Sequence, residues 1–367
     1  MSLEVRFLPA RQGDAIWVRW GRGRQLMIDM GTEQTGRRIA ERLKALPEDE
    51  RRFELLVITH VDSDHIGGVL TCVADADPAI PGLVFDDVWF NGWEHLHGDP
   101  VPPPDEVPGL EGMGPAQGER LAGWLREQAW NNAFDRSPVV LEAGDPHRVE
   151  LPDGLTLTVL GPTQARLGAL IPTWREEVEI ALAKGLLEEV SPGLEPFGSA
   201  NPPELESKVD LELLAEKPSP KDSSKTNLTS ITLLLEWRGR RILLTGDASA
   251  DDVAAALASS GLPAPVELDL LKLPHHGSRQ NLNRDLVEAV DCPYWVFSTD
   301  GTTFRHPDAP AVARLLAWGR HARPTLGFNV PSTFNEWWRN EDWRALFDYD
   351  VEYGDEIEGL TVSFEPA

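Results

Sequence analysis

The stretch THVDSDHIGG, residues 59–68, follows the apolar run FELLVI (53–58) and sets His60, Asp62, Asp64 and His65 within six positions. A polar turn with helix-capping carboxylates accounts for the aspartates, because Asp accepts hydrogen bonds from the free amides of a helix start. Half of a metal site accounts for all four side chains. That second reading requires the rest of the chain to supply the other half.

Upstream, LEVRFLPA, DAIWVRW and QLMIDMG read as three strands, rich in β-branched and aromatic residues and separated by Gly-containing turns. Ile39, Leu43 and Leu46 share one face of a helix over about Thr35 to Leu46. FELLVITH is the next strand, and Gly67 and Gly68 open a helix over VLTCVA. Downstream, a Pro-rich DPVPPPDEVPG precedes a helical QGERLAGWLREQAWNNAF, and PDG turns between two strands in HRVELPDGLTLTVLGP. The charged segment from about Thr163 to Thr226 includes TWREEVEIALAKGLLEEV and ends in AEKPSPKDSSKTN. It reads as an insertion or lid, since its apolar content is thin for an independent core.

The second half is again β-rich. LTSITLLLEW and RILLTGD form a hairpin with apolar residues on both faces, as in a sheet covered by helices. DDVAAALASSG, DLVEAVD and APAVARLLAWGR are helices that alternate with the strands VELDLLKLP, YWVFSTD and PTLGFNV. The Trp-rich FNEWWRNEDW spaces its rings for packing on one helical face. Two β-rich halves, each ending in helices, predict sheets sandwiched between helical layers.

Polar clusters recur where strands end: TGDAS with Asp247, LPHHGS with His275 and His276, and FSTDGTTFRHPD with Asp300 and His306. A lone Asp after a strand is ordinarily a cap, and a lone His in a loop ordinarily has no special role. Yet, with THVDSDHIGG counted as a fourth strand end, five of the nine histidines fall in these clusters. Imidazole with carboxylate binds divalent first-row ions without thiolate and leaves positions for water, which makes a nucleophile. In an extended turn His60 and Asp62 point the same way and share one ion, whereas Asp64 and His65 reach a second. Asp247 is placed to bridge two ions about 4 Å apart, as in two-metal hydrolases. Asp14 is either a turn residue or part of the site, His276 either supports the site from behind or is structural, Ser278 caps the helix after HHGS, and Asp300 is a turn acid. His95, His97, His147 and His321 fit no cluster and read as surface residues.

QGDAIWV, LMIDMG, THVDSDHIGG, NLTSITLLLEW, ILLTGDAS, LKLPHHGS and a late RHP, in this order over residues 12–307, resemble the metallo-β-lactamase-fold hydrolases. The nearest likeness is to the hydrolase domain of ComEC-type bacterial competence proteins. The resemblance implies a four-layer αββα sandwich formed by a single domain over 1–367, with insertions at about 93–147 and 163–226. It implies that His60, Asp64 and His65 are ligands, Asp247 the bridging carboxylate and His275 the late histidine of the second ion. Asp29 corresponds to an acid that orients a ligand, and His306 to a histidine that reaches the substrate or leaving group. Asp62 stands where the signature has its second histidine. KTNLTSI offers Asn227, Thr229 and Ser230 where many members supply another ligand. The first site is therefore oxygen-rich, favouring manganese or magnesium over tightly held zinc, and Asn227 and Ser230 become candidate substrate contacts.

Bulk properties bound these expectations. The 367 residues suffice for one large domain or two ordinary ones, and 41% hydrophobic content with 13 Trp marks a globular chain. The longest apolar stretches are strand-length, which argues against a membrane span. Cys72 and Cys292 form no spacing pattern and the start lacks a secretory pattern, so a cytoplasmic setting is expected. A net charge of -26 opposes tight, sequence-independent binding of long duplex DNA. The expected activity is metal-dependent phosphodiester hydrolysis of nucleotides or short nucleic acid. Asp64 and a nearby histidine, His306 or His276, serve the chemistry, with two divalent ions (Zn or Mn) as cofactors. A thioesterase, lactonase or β-lactamase on the same centre is the first alternative, and a non-catalytic component that binds a protein partner through its insertions is the second.

Overall fold

The computed structural model describes residues 1–101, 116–142, 146–184 and 198–367. Most of the Pro-rich run and the GLLEEV end of the charged helix lie outside the described residues.

Two sheets face each other. The first runs, edge to edge, through Leu360–Phe364, Leu3–Phe7, Ile16–Trp20, Arg24–Ile28, Leu55–Val57 and Val88–Trp89. Its pairings are antiparallel up to Arg24–Ile28 and parallel beyond. The second runs through Asp350–Tyr353, Thr325–Phe328, Tyr294–Phe297, Leu270–Lys272, Arg240–Leu244, Thr232–Trp237, Leu155–Gly161 and Arg148–Leu151. It is parallel from Asp350–Tyr353 to Arg240–Leu244 and antiparallel from there on.

Strand alternation divides the apolar residues into three cores. Ile16, Val18, Leu26, Ile28, Leu55 and Val57 point between the sheets, where they meet Leu233, Leu235, Ile242, Leu244 and Val296. Trp17, Met27 and Leu56 point outward, onto Ile39 and Leu43 of the helix Glu33–Ala45 and Ile66 of Ser63–Val69. Leu234, Leu243, Leu271 and Phe297 point outward on the other side, against Val253, Leu286 and Val312 of the helices Ala250–Ser259, Arg284–Ala289 and Ala309–Trp318. The expected four-layer αββα sandwich is present. Each fully buried aliphatic side chain contributes on the order of 2 kcal/mol, so strands buried on both faces carry most of the stability.

Some elements differ from the sequence reading. The helix after THVDSDHIGG begins at Ser63, four residues earlier than expected, and so carries Asp64 and His65 in its first turn. Gly68, next to last in this helix, is a glycine because a Cβ there would stand 1.9 Å from the Met30 carbonyl oxygen. FNEWWRNEDW forms two short helical pieces, Glu336–Arg339 and Glu341–Phe347, split where Asn340 caps the second, and Trp338 is buried beside Trp343. His95 is buried, not superficial: its Nδ1 accepts from Gly92 N (3.1 Å) and its Nε2 lies 3.1 Å from the Arg136 carbonyl. In the charged insertion, Leu211, Leu214 and Ala215 of the helix Lys208–Ala215 join the core of the second sheet. Among the described residues, no helix is long and apolar enough to cross a membrane.

Candidate metal centre

The parallel strands of both sheets end at one edge, and every polar cluster lies there, at the carboxyl ends where open α/β sheets bind ligands. Arg24–Ile28 delivers Asp29, Leu55–Val57 delivers Thr59 and His60, Arg240–Leu244 delivers Asp247, and Leu270–Lys272 delivers His275 and His276.

Asp247 Oδ2 is the meeting point. It lies 3.3 Å from His276 Nε2, 3.4 Å from His65 Nε2, 3.8 Å from His275 Nε2 and 4.0 Å from His60 Nε2. All four rings are held by their far nitrogens, His275 by Asn281 and Asp222. His65 Nδ1 donates to Asp29 Oδ2 (2.7 Å), His276 Nδ1 to the Ser298 carbonyl (2.8 Å), and His60 Nδ1 to Thr59 Oγ1 (3.0 Å). Thr59 in turn donates its N–H and its hydroxyl to Asp29. Each hydrogen bond fixes the tautomer that turns an Nε2 lone pair toward the centre. Asp29 manages this from a left-handed backbone (φ 54°), a conformation that costs a non-glycine residue of order 1–3 kcal/mol.

The fit to divalent ions rests on orphaned atoms. The Nε2 atoms of His60, His65 and His276 and Oδ1 of Asp247 are buried without a hydrogen-bond partner, an arrangement that costs free energy unless a cation completes it. His60, His65 and Asp247 form one compact donor group, and Asp64, His65 and His276 another. Asp62 stands at the helix N-cap position but its side chain caps nothing. It accepts from Thr226 Oγ1 (3.0 Å) and lies 3.5 Å from His60 Nε2.

Both adjacent histidines turn Nε2 toward Asp247, His276 at 3.3 Å and His275 at 3.8 Å. Successive left-handed residues, φ 48° at His275 and 54° at His276, send the rings to different sides. His276 joins Asp64 and His65. His275 Nδ1 lies 3.0 Å from Asn281 Oδ1 and 3.2 Å from Asp222 Oδ2. Asn227 donates to Asp222 (2.9 Å), and Ser230 Oγ accepts from Asp247 N (3.0 Å). Both are buried behind the ligands. His306 is buried beyond His275, ring centroids 5.9 Å apart. Asp300 accepts from Thr302 within its own turn. Ser278 is followed by a turn, and the next helix is capped by Asn283 instead.

Two further residues belong to the centre. Lys272 is fully buried, ion-paired with Asp14, bonded to the Gly246 carbonyl (3.0 Å) and 3.6 Å from Asp247 Oδ1. A lysine on the inward phase of the strand VELDLLKLP, beside buried Leu270, was the sequence signal. Asp222, from the loose KPSPKDSSKTN, carried no such signal. Gly13 permits the approach of the Asp14 loop, since a Cβ there would fall 1.7 Å from the Asp64 carbonyl oxygen.

The electrostatics follow from this crowding. Burial opposes the charged form of Asp247, but the imidazoles of His276, His65 and His275 outweigh it and hold the carboxyl well below its usual range. Burial likewise opposes protonation of His276, but Asp247 and Asp14 prevail and push it up to about 9. His65 is raised well above its ordinary value, with burial outweighed by Asp247 and Asp29. Without an ion, protons take the place that cations would fill.

A family model described as Metallo-beta-lactamase superfamily matches residues 8–149, which include Asp14, Asp29 and all of THVDSDHIGG. No curated protein matches the chain. Among solved structures it is similar to the metallo-beta-lactamase fold protein YhfI from Bacillus subtilis, at 8% identity and a TM-score of 0.41, covering 99% of this chain and 100% of that one. It is similar to Zn(2+)-bound PqqB from Methylobacterium extorquens at 14% identity and a TM-score of 0.40, covering 99% of each. Human tRNase Z, short form, is similar at 11% identity and a TM-score of 0.38, covering 100% of each chain.

Proposed function

We propose, for a chain whose layered sheets and family match support a metallo-β-lactamase-superfamily hydrolase, that it hydrolyses phosphodiester bonds in nucleotides or short nucleic acids. One observation carries the reading: around His60 the donors within reach are the His65 imidazole and the carboxylate oxygens of Asp62 and Asp247, so oxygen supplies as much of the set as nitrogen. Oxygen-rich sets suit the harder divalent ions that neutralise phosphate. The likeness of the motifs to the competence-type hydrolase domain points the same way.

His60, Asp62 and Asp247 would hold one ion, and Asp64, His65 and His276, with Asp247 between, a second. When bound, such ions supply positive charge to the phosphate oxygens and lower the pKa of water. The protein's own groups do the rest. Asp29, Thr59 and the Ser298 carbonyl fix the imidazoles, and Lys272 with Asp14 fixes Asp247. His275 faces Asp247 through Nε2 and is backed by Asp222 at Nδ1. In this proposal it stands nearer the reacting groups than His306 and takes over the part expected of His306, handing a proton from Nε2 to the leaving oxygen.

Hydrolysis of bis(p-nitrophenyl) phosphate by chelator-stripped protein, reloaded with manganese or zinc, tests the reading beside Asp64→Ala. Activity should return with the ion and be lost in the variant, and nitrocefin should remain uncut. Wild-type protein that is inactive with both ions would sink the proposal.

A further inference from the structure

Three residues after His276, Arg279 leaves the metal centre and enters the wall of a cavity of about 490 Å³. Six cations and three carboxylates line it, the opposite balance to a chain with 34 Lys and Arg against 60 Asp and Glu. Asp222 is the partition: it lines the cavity, and its Oδ2 lies 3.2 Å from His275 Nδ1.

Most of the cations are already engaged. Arg166 pairs with Asp252, Lys221 with Asp251 and Arg284 with Glu216, while Arg314 donates to the carbonyls of Ala215, Arg279, Leu282 and Lys217. Lys217 and Arg279 have no carboxylate partner among the described residues, and Arg279 Nε is buried with no acceptor. A buried guanidinium N–H without an acceptor is unfavourable, and an anionic oxygen supplies what is missing.

We infer that this cavity is a subsite for a phosphate group flanking the scissile bond, held by Arg279 and Lys217, in a substrate that reaches the metal centre past Asp222. The inference rests on the phosphodiesterase reading. It reconciles an acidic surface with an anionic substrate, because cations outnumber carboxylates in the lining of this cavity.

The manganese-loaded protein is assayed on bis(p-nitrophenyl) phosphate, which has no second phosphate, and on a 5′-phosphorylated thymidylate pentamer. In Lys217→Met and in Lys217→Met/Arg279→Met, the ratio of kcat/KM for the pentamer to that for the small ester should fall, by about tenfold in the double variant. The dependence of log KM on log salt concentration for the pentamer should weaken by about 0.7 per cation removed. An unchanged ratio overturns the subsite, and so does an equal loss on both substrates, since Arg279 would then act only through the His276 loop. Inorganic phosphate should compete with the pentamer. If it instead alters turnover of the small ester in wild type and not in the double variant, the cavity serves a free anion and the flanking assignment fails. Should wild type cleave neither substrate, the phosphodiesterase reading has failed on its own, and calorimetric binding of the pentamer still decides the subsite. Affinity about tenfold weaker in the double variant upholds it, and equal affinity overturns it.

Discussion

The Lys272 ammonium lies 3.6 Å from Asp247 Oδ1, so the carboxylate whose other oxygen faces four imidazoles is anchored from below by a buried cation. Burial works against that charge, but Asp14 and Asp247 outweigh it and raise the lysine above its ordinary value.

Lys272→Met leaves two buried carboxylates without their cation. Removing one partner of a buried pair costs about 3–5 kcal/mol, and urea unfolding of chelator-stripped protein should show a loss of that order. Divalent ions should restore part of it, since they bring positive charge to the same oxygens. A loss under about 1 kcal/mol would mean that the imidazoles already compensate Asp14 and Asp247.

Asp29→Asn removes the carboxylate that accepts from His65 Nδ1 and from Thr59. An amide donor facing His65 Nδ1 selects the other tautomer and turns the proton toward the centre. Metal affinity should fall about 10–100-fold, measured by competition with a chromophoric chelator, with the far-ultraviolet circular dichroism retained.

Metal binding should release protons. With His276 raised to about 9 and His65 raised as well, the metal-free centre is protonated at neutral pH. Apparent affinity should therefore climb as pH rises from 6.5 toward 9, by about tenfold per unit for each proton displaced. Calorimetry in buffers of different ionisation enthalpy counts those protons. A flat affinity across that range would contradict the geometry around Asp247.

His95 sets a separate acid sensitivity. Burial lowers its pKa from 6.5 to about 4, partly offset by the Arg136 carbonyl, and its Nδ1 is already occupied by the Gly92 N–H. Between those values the unfolded chain binds the proton and the folded chain does not. Its contribution is complete above about pH 6.5 and is lost as pH falls toward 4, roughly 3 kcal/mol in all. His95→Gln, which cannot titrate, should show a shallower fall in denaturant midpoint than wild type over this range.

Gly13→Ala should disturb both the Asp14 loop and Asp64, because its Cβ would overlap the Asp64 carbonyl. Overpacking of this kind costs about 1–3 kcal/mol, readable in the thermal midpoint, with metal affinity falling in step.

Strands such as DAIWVRW and RILLTGD were legible because apolar residues on both phases announce burial on both faces. The convergence of His60, His65, Asp247 and His276 was legible because histidine and aspartate recur at strand ends. Which of His275 and His276 faces Asp64 depends on two consecutive left-handed residues, and nothing in HHGS encodes that order. His95 looked superficial because its partners are backbone groups at Gly92 and Arg136, invisible to side-chain patterns. Asp222 sits in a stretch rich in Ser, Lys and Pro that reads as loose, and only its fold-back onto Asn227, His275 and Asn281 gives it a role.

A single oxygen, Asp247 Oδ2, is the common origin from which the His60, His65, His275 and His276 rings radiate. Free energies assigned to these residues one at a time are therefore not separable quantities. Whichever ring is removed first relieves or unbalances the same atom, and the second removal acts on an altered centre. A thermodynamic cycle between His60 and His276 thus carries a coupling term in the range of about 0.5–3 kcal/mol. The centre behaves as one cooperative unit with four arms.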